Sequence, residues 1–489
     1  MIAYILLGHA LENEVQTTIQ IFYPNLHYQR VESLDSQTGI CIVSEWKEGL
    51  AVARLFSDGA EVSSYIKEQH FDCTEKEKKL VVKETIYRLL AEELQLFPKW
   101  GFFTGVRPAK LMSYRLRQGM AEADCLNYMK NTYDMIEGKA KLSLEVAKAE
   151  LSILERSKEV DVSIYIGIPF CPTRCVYCSF ASYPLQQYAN RVDAYLLALQ
   201  KEMQYVSTYL KEHPDLNLQT VYIGGGTPTA LDESQFEQLL LWISELFPLK
   251  KVEEFTVEAG RPDTITAEKL RLMKMFGVNR ISINPQTMND KTLQLIGRTH
   301  SVADTIQVFH LARELGHDNI NMDLILGLPD ETLHEVKHTL AEIEKLSPES
   351  VTIHTLTVKR ASRLKEELSA HKLTKMEQME EMLAVADLSA RKMGMKPYYM
   401  YRQKNTVGNF ENVGYCRHNR ESVYNIQIME EKQMIFGIGA GASTKLLDFA
   451  TDRIERVFNV KSVDDYIARV DEMIDRKKDE FLKMEDIKK

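Results

Sequence analysis

The chain has 489 residues, 44% hydrophobic and 27% charged, with a formal net charge of −9 and a sequence pI near 5.8. That length allows two or three domains with sizeable cores, and the composition is that of a soluble globular protein rather than a disordered one. The acidic balance argues against broad nucleic-acid binding, and no apolar run reaches membrane-spanning length.

The first apolar stretch, residues 1–8, has no basic flank and runs into Glu12 and Glu14. It predicts a first strand rather than a signal peptide, and so a cytoplasmic, reducing location. Residues 1–155 read as an N-terminal α+β accessory domain. Apolar runs at 39–46 and 50–56, joined through Lys47-Glu48-Gly49, predict a hairpin. Helical spacing follows at 75–95 and 139–157. Between them lies Trp100-Gly101-Phe102-Phe103-Thr104-Gly105-Val106-Arg107-Pro108, either a ligand loop or a packed turn.

From about residue 156 to 360 the rhythm becomes strand, loop, helix. Short Val- and Ile-rich segments at 163–168, 220–223, 254–258, 278–283, 320–326 and 351–354 predict strands. Segments of helix length at 186–211, 233–247, 301–315 and 331–346 separate them. Six such units predict an α/β fold, a partial (β/α)6 barrel, with its reactive groups on loops at the C-terminal strand ends. Residues 361–489 predict a mainly helical extension on the substrate side. It has a Met-rich helix at 375–393, an aromatic strand at 398–401, a glycine-dense turn at 436–443 and a terminal helix at 463–478.

Three of the seven cysteines, Cys171, Cys175 and Cys178, fall in one eight-residue window with C-x3-C-x2-C spacing. Three thiolates on one loop can hold three corners of a cubane iron–sulfur cluster and leave the fourth iron open to a substrate. Structural zinc asks for a fourth protein ligand, and Cys416 and the histidines are distant in sequence. A disulfide framework is disfavoured by the odd cysteine count and the length of the chain. Further along, Gly224-Gly225-Gly226-Thr227-Pro228 ends one predicted strand and Glu258 ends the next. Asp323 is set in an apolar strand, where a carboxylate needs a partner or a ligand. Gln286 and Arg298 flank a short predicted helix.

With these motifs in combination the chain resembles the radical S-adenosylmethionine superfamily. Within it, the chain is similar to the oxygen-independent coproporphyrinogen III oxidase family, and its Phe103–Pro108 loop looks most like the HemZ-type branch. The resemblance covers about 161–445. It implies a radical SAM barrel in which Cys171, Cys175 and Cys178 bind a 4Fe–4S cluster whose remaining iron is chelated by S-adenosylmethionine. It implies cofactor contacts from Tyr165, Tyr177, Gly225, Gly226, Thr227, Glu258, Gln286, Arg298 and Asp323, with Thr357 and Ser443 as looser ones. It also implies a 5′-deoxyadenosyl radical that attacks coproporphyrinogen III propionates, and an electron donor such as flavodoxin or ferredoxin. Arg261, Arg360, Arg363, Arg402 and Arg417 are the cations available for those propionates.

Two positions depart from the best-known members. Gly167 stands where they have a histidine, and Phe180 where they have a further cysteine. A heme-binding chaperone of the same family is the alternative, with His418 as its candidate iron ligand. A radical enzyme acting on another large planar substrate, such as a methyltransferase, is a third reading.

Overall fold

The computed structural model describes the chain except at residues 25, 35–38, 71–72, 181, 358–373, 404–408, 450, 452 and 489, and the side chains of 484–488. Arg360 and Arg363 therefore lie outside the described residues. The chain divides into two compact units, residues 1–147 with 400–412, and residues 148–399 with 413–489.

The first unit begins with β1 (Ile2–Leu7), α1 (Glu12–Phe22), β2 (Tyr28–Arg30), β3 (Ile40–Lys47), β4 (Leu50–Ser57) and β5 (Ala60–Glu68). Helices α2 (Glu75–Leu94), α3 (Pro108–Arg117), α4 (Glu122–Tyr133) and α5 (Glu137–Leu154) follow, and the chain leaves the unit within α5. The sheet order is β2-β1-β3-β4-β5. The predicted hairpin is β3–β4, closed at Lys47↔Leu50 by Glu48 at φ 51° and Gly49 at φ 83°. Two successive left-handed residues match the twist of a tight hairpin, and glycine adopts that conformation without strain. Alternation along β1 sends Ile2, Tyr4 and Leu6 into a core with Ile19, Ile86 and Tyr87 from the helices. Trp100, Phe102 and Phe103 are buried too, and the Trp100 indole donates to Glu411 at 2.8 Å. Residues 100–103 form a packed turn, while Thr104, Gly105 and Val106 border a small cavity with Thr17 and Gln20.

The second unit is built on a parallel sheet. Its first elements are β6 (Asp161–Ile168), β7 (Phe170–Cys171), β8 (Tyr183–Pro184), α6 (Leu185–Tyr188), α7 (Val192–Glu212), β9 (Asn217–Gly225) and α8 (Glu233–Leu246). Then come β10 (Glu254–Gly260), α9 (Ala267–Met275), β11 (Arg280–Ile283), α10 (Asp290–Leu295), α11 (Val302–Glu314), β12 (Ile320–Leu326), α12 (Leu333–Leu346) and β13 (Ser350–Thr355). β6, β9, β10, β11, β12 and β13 lie side by side in chain order, all parallel. They are the six expected strands. Capping boxes at Asp232/Gln235, Ser301/Asp304 and Thr332/Glu335 start α8, α11 and α12, satisfying backbone donors that the helix itself cannot.

The expected Met-rich helix is α13 (Met376–Lys392) and the expected aromatic strand lies in β14 (Lys396–Arg402); β15 (Glu411–Cys416) and α14 (Val423–Glu430), which the sequence did not single out, follow. β16 (Met434–Ile438), β17 (Ser443–Asp448) and β18 (Arg453–Phe458) precede α15 (Val463–Ala468) and α16 (Val470–Lys488). The five strands among them extend the sheet at both edges, β16-β17-β18 beside β6 and β15-β14 beside β13.

Each central strand alternates chemically. Ile164, Ile166, Val221, Ile223, Val257, Ile281, Met322 and Ile353 are buried on the face that packs against the helices. The intervening residues include Ser163, Thr220, Tyr222, Thr256, Glu258, Ser282, Asn321, Asp323, Thr352 and His354, all on the inner face. They bond to one another, as in Ser163–Thr220 at 2.6 Å, Asn321–Asp323 at 2.7 Å and Ser350–Asn321 at 3.0 Å. A barrel interior filled by branched apolar side chains is the usual solution. This one is polar, which suits a polar ligand.

One buried charge pair ties the C-terminal helix to the sheet. Lys477 on α16 donates to Glu202 on α7 at 2.6 Å and to Asn459 at 2.7 Å, and neither member of the pair is exposed. Glu202 also accepts from the Tyr466 hydroxyl and, at 2.8 Å, from the Gly439 amide. Removing one partner strands a charge in a dry interior. Lys477→Met is expected to cost ~3–5 kcal/mol of unfolding free energy in a denaturant titration, with Glu202→Gln/Lys477→Met recovering part of the loss.

Candidate cofactor site

The cysteine loop leaves the C-terminal end of β6. Its two ends are pinned by the short parallel pair β7–β8, Phe170↔Tyr183 and Cys171↔Pro184. The Cys178 amide donates to the Cys175 carbonyl at 3.1 Å, a tight turn that brings two of the three thiols onto one stretch. Val176 N donates to Ile296 O at 3.1 Å, seating the loop on the connection after α10.

The glycine turn after β9 packs beneath this loop. Gly226 N and Thr227 N donate to the carbonyls of Ile168 and Phe170, at 2.8 and 2.7 Å. A Cβ on Gly226 would stand 2.6 Å from the Phe170 carbonyl and 3.0 Å from the Cys171 sulfur, and Gly225 sits at φ +110°. Glycine is what allows the turn to approach the cysteines so closely. The Thr227 hydroxyl is 3.5 Å from the Cys171 sulfur, and the Ser182 hydroxyl is 3.9 Å from that of Cys178.

Burial raises the thiol of Cys171 to about 11 and raises that of Cys178 as well. In the metal-free protein both are protonated at neutral pH, so a metal must displace protons to bind them. Among the described residues no group of three or more His, Cys, Asp or Glu closes on a single metal ion. A cubane asks for something different, since each thiolate holds its own iron. The three thiols on one loop, with a backbone cradle below Cys171, fit that demand.

The remaining expected residues converge on the inner face. Tyr165 stacks with Tyr222 and with Tyr424 of α14, each at 6.2 Å between centroids, and Tyr222 and Tyr424 stack at 4.3 Å. Tyr222 donates to Glu258 at 2.5 Å, and Glu258 also accepts from Gly225 N at 3.2 Å. Burial, aided by the negative charge of Asp323, pushes Glu258 up to about 7. Asp323 goes the other way. Its burial is outweighed by hydrogen bonds from His354, Asn321 and Thr352, which hold it below the ordinary carboxylate value. One acid beside the site is thus poised to hold a proton and the other to stay ionised.

Arg298 is buried and donates to Asn284 O at 2.5 Å and to the Tyr177 hydroxyl at 3.1 Å, with Cys175 beside it. Its Nε has no hydrogen-bond partner. Gln286 is at φ +69°, costly for a residue with a side chain, and its Oε1 is also buried without a partner. Its backbone bonds to Asp323 and Ile325, while its side chain borders a small cavity with Leu324, Val336 and Thr339. Gln286 therefore meets the other expected residues through its backbone alone. Of the looser candidates, the Ser443 hydroxyl is buried without a partner, and the Thr357 hydroxyl reaches the Thr355 carbonyl at 3.5 Å.

Tyr222, Tyr424, Asn284 and His354 join the site without having been singled out in the sequence. The available signal was the polar alternation, which puts Tyr222 directly opposite Tyr165 in register. Among the described residues, the arginines expected to face substrate are otherwise engaged. Arg261 binds Asp263 and Thr173, and Arg402 lies buried in the first unit over Trp100 at 4.7 Å. Arg417 donates to Pro348 O and Ser347 Oγ at the opposite end of the strands. His418 is exposed in the adjoining turn, also far from the cysteine loop along the sheet, since Cys416 pairs with Ser350 at the start of β13. Phe180, just past the third cysteine, is 70% exposed.

The raised Glu258 carboxyl has a consequence for the cluster-free protein. Its folded value exceeds the ordinary one near 4.5, so stability is intact below that pH and falls as pH rises through about 7. Glu258→Gln is expected to gain about 3 kcal/mol relative to wild type between those limits, read from denaturation at a series of pH values.

Known proteins are similar to this chain in sequence and fold. Residues 165–343 match the family model described as the radical SAM superfamily. The chain is 42% identical over 482 residues to the oxygen-independent coproporphyrinogen-III oxidase-like protein HemZ of Bacillus subtilis, covering 96% of this chain and 95% of that one. It is 38% identical to the heme chaperone HemW of the same organism, over 57% of this chain and 70% of the other. Coproporphyrinogen III oxidase HemN from Escherichia coli has the same fold, with a TM-score of 0.50 at 21% identity, covering 67% of this chain and 73% of that one. The superfamily's cofactors, a 4Fe–4S cluster and S-adenosylmethionine, are those of this chain. From the full-length identity and the matched barrel, the chain belongs to the radical SAM superfamily and, within it, to the coproporphyrinogen oxidase-like HemZ family.

Proposed function

We propose that Cys171, Cys175 and Cys178 hold the cluster and that the polar inner face above β9–β12 receives S-adenosylmethionine. Together these groups supply one-electron, hydrogen-abstracting chemistry when bound. The observation that carries this reading is the pairing of the cysteine loop with the buried Arg298 guanidinium, whose Nε lacks a partner. Arg298, planar and permanently charged, suits the carboxylate of the methionyl end, whereas Gln286 lends only its backbone. Gly225, Gly226 and Thr227 offer backbone groups beside Cys171 for the amino end. Glu258 and Asp323 accept hydroxyl or amino hydrogens, and Tyr165 and Tyr177 wall the site. The stacked tyrosines keep water from the reacting atoms.

On that basis we read the chain as an oxygen-independent coproporphyrinogen III oxidase-type enzyme of tetrapyrrole metabolism. It would decarboxylate propionate side chains to vinyl groups, with a flavodoxin or ferredoxin as electron donor. The full-length likeness to HemZ supports this substrate class. The likeness to HemW favours a second reading, a heme-binding chaperone. His418 does not serve it, being exposed at the opposite end of the strands from the cysteine loop.

Anaerobically purified protein is expected to be brown with about four irons per chain, and Cys175→Ser to lose cofactor cleavage while keeping its circular dichroism spectrum. A colourless protein with one zinc would refute the cluster. Anaerobic incubation with reductant, S-adenosylmethionine and coproporphyrinogen III, followed by mass spectrometry, separates the readings. Loss of carbon dioxide from two propionates supports the oxidase, and stoichiometric heme binding without turnover supports the chaperone.

A further inference from the structure

Arg261 was a candidate for a substrate carboxylate, but its position points elsewhere. It follows β10, is 3% exposed, and spends every nitrogen of its guanidinium inside the protein. Nε and Nη2 form a fork on Asp263, at 3.0 and 2.7 Å, and Nη2 also reaches the Thr299 hydroxyl at 3.1 Å. Nη1 donates to Thr173, at 2.6 Å to the hydroxyl and 3.3 Å to the carbonyl. Thr173 is the middle residue between Cys171 and Cys175, and its hydroxyl donates on to Gly297 O at 3.0 Å. Asp263 is itself fixed, accepting from the Thr299 hydroxyl at 2.7 Å and standing 3.4 Å from the fully buried ring of His300.

We propose that Arg261 is a positioning residue that clamps Thr173 against the β10 and α10–α11 loops, placing Cys171 and Cys175 before the cluster arrives. The inference rests on the cysteine loop being the cluster site. Three residues between two ligands would otherwise sample many conformations, and ordering them only on metal binding would weaken binding by that entropy. A bidentate guanidinium–carboxylate pair is rigid enough to serve as the anchor. Being a buried cation near the first cysteine, Arg261 also favours the reduced, more negative cluster.

The test compares wild type, Thr173→Val, Arg261→Lys and Arg261→Met after anaerobic reconstitution. Iron release to excess ferrous chelator is timed, and the cluster midpoint potential is measured by titration followed by electron paramagnetic resonance. Thr173→Val and Arg261→Met are expected to release iron about tenfold faster or more, the size set by a hydrogen bond to a charged group. In Arg261→Met the potential moves negative, and Arg261→Lys restores most of both effects. Thr173→Val keeps the charge pair and is expected to leave the thermal midpoint of the cluster-free protein unchanged, so the test survives if Arg261→Met fails to fold. Wild-type release rates and potential in both variants would overturn the clamp. So would intact cluster retention with a raised KM for coproporphyrinogen in Arg261→Met, which would return this residue to the substrate. If wild type itself takes up no cluster, the functional reading fails rather than the clamp.

Discussion

Parallel strands all end at the same edge of their sheet, and this constraint arranges the site. Once β6, β9, β10, β11 and β12 lie in register, Ile168 falls opposite Gly225, and the cysteine loop must leave the sheet beside the glycine turn. Glu258 and Asp323 reach the same layer from β10 and β12, on either side of β11, although about 150 residues separate Asp323 from the cysteines. No direct contact between the loops is needed to explain their meeting. The hydrogen-bonded ladder carries each one there, and antiparallel pairing would send alternate loops to the far end, as it does for Arg417 and His418.

The polar inner face then creates a demand that the helices do not share. Buried hydroxyls, amides and carboxylates must be paired, or each costs more than its net contribution to stability. Here the pairing is dense low in the barrel, where Arg280, Ser350 and Asn321 satisfy one another. Beside the cysteine loop, Arg298 Nε has no partner. An unpaired guanidinium nitrogen beside Cys175 marks the end where a ligand belongs. Glu258 and Asp323 sharpen that end electrostatically, because their mutual repulsion favours one proton between them.

The same logic of buried charge holds the scaffold around the site. Glu202 and Lys477 join α7 to α16 under the glycine-dense turn at 437–442, and Tyr195 links that turn to the Gly167 carbonyl at 2.6 Å. Arg261 and Asp263 do the equivalent on the other side of the loop. Each pair is expensive to desolvate and holds its geometry only because further hydrogen bonds complete it. The first pair braces the turn beside the end of β6, and the second reaches the loop itself at Thr173.

Local pattern made much of this legible. Cysteine spacing, the GGGTP turn and six short Val- and Ile-rich runs are properties of neighbouring residues, and each implies its chemistry or period wherever it occurs. The hairpin at Lys47–Leu50 and the core helices were readable for the same reason. Trp100–Pro108 was ambiguous because aromatic residues and glycine serve a packed turn as well as a ligand loop, and only burial decides between them. The partners of Arg261, the stacking of Tyr424 on Tyr222 and the strands added beside β6 and β13 depend on residues far apart in the chain. By itself the sequence determined which chemistry the cysteine window can support and how many strands would frame it, since both follow from local spacing. The tertiary structure alone decided which arginines are already spent, which polar atoms still lack partners and where His418 lies, because burial and long-range pairing exist only once the sheet has formed.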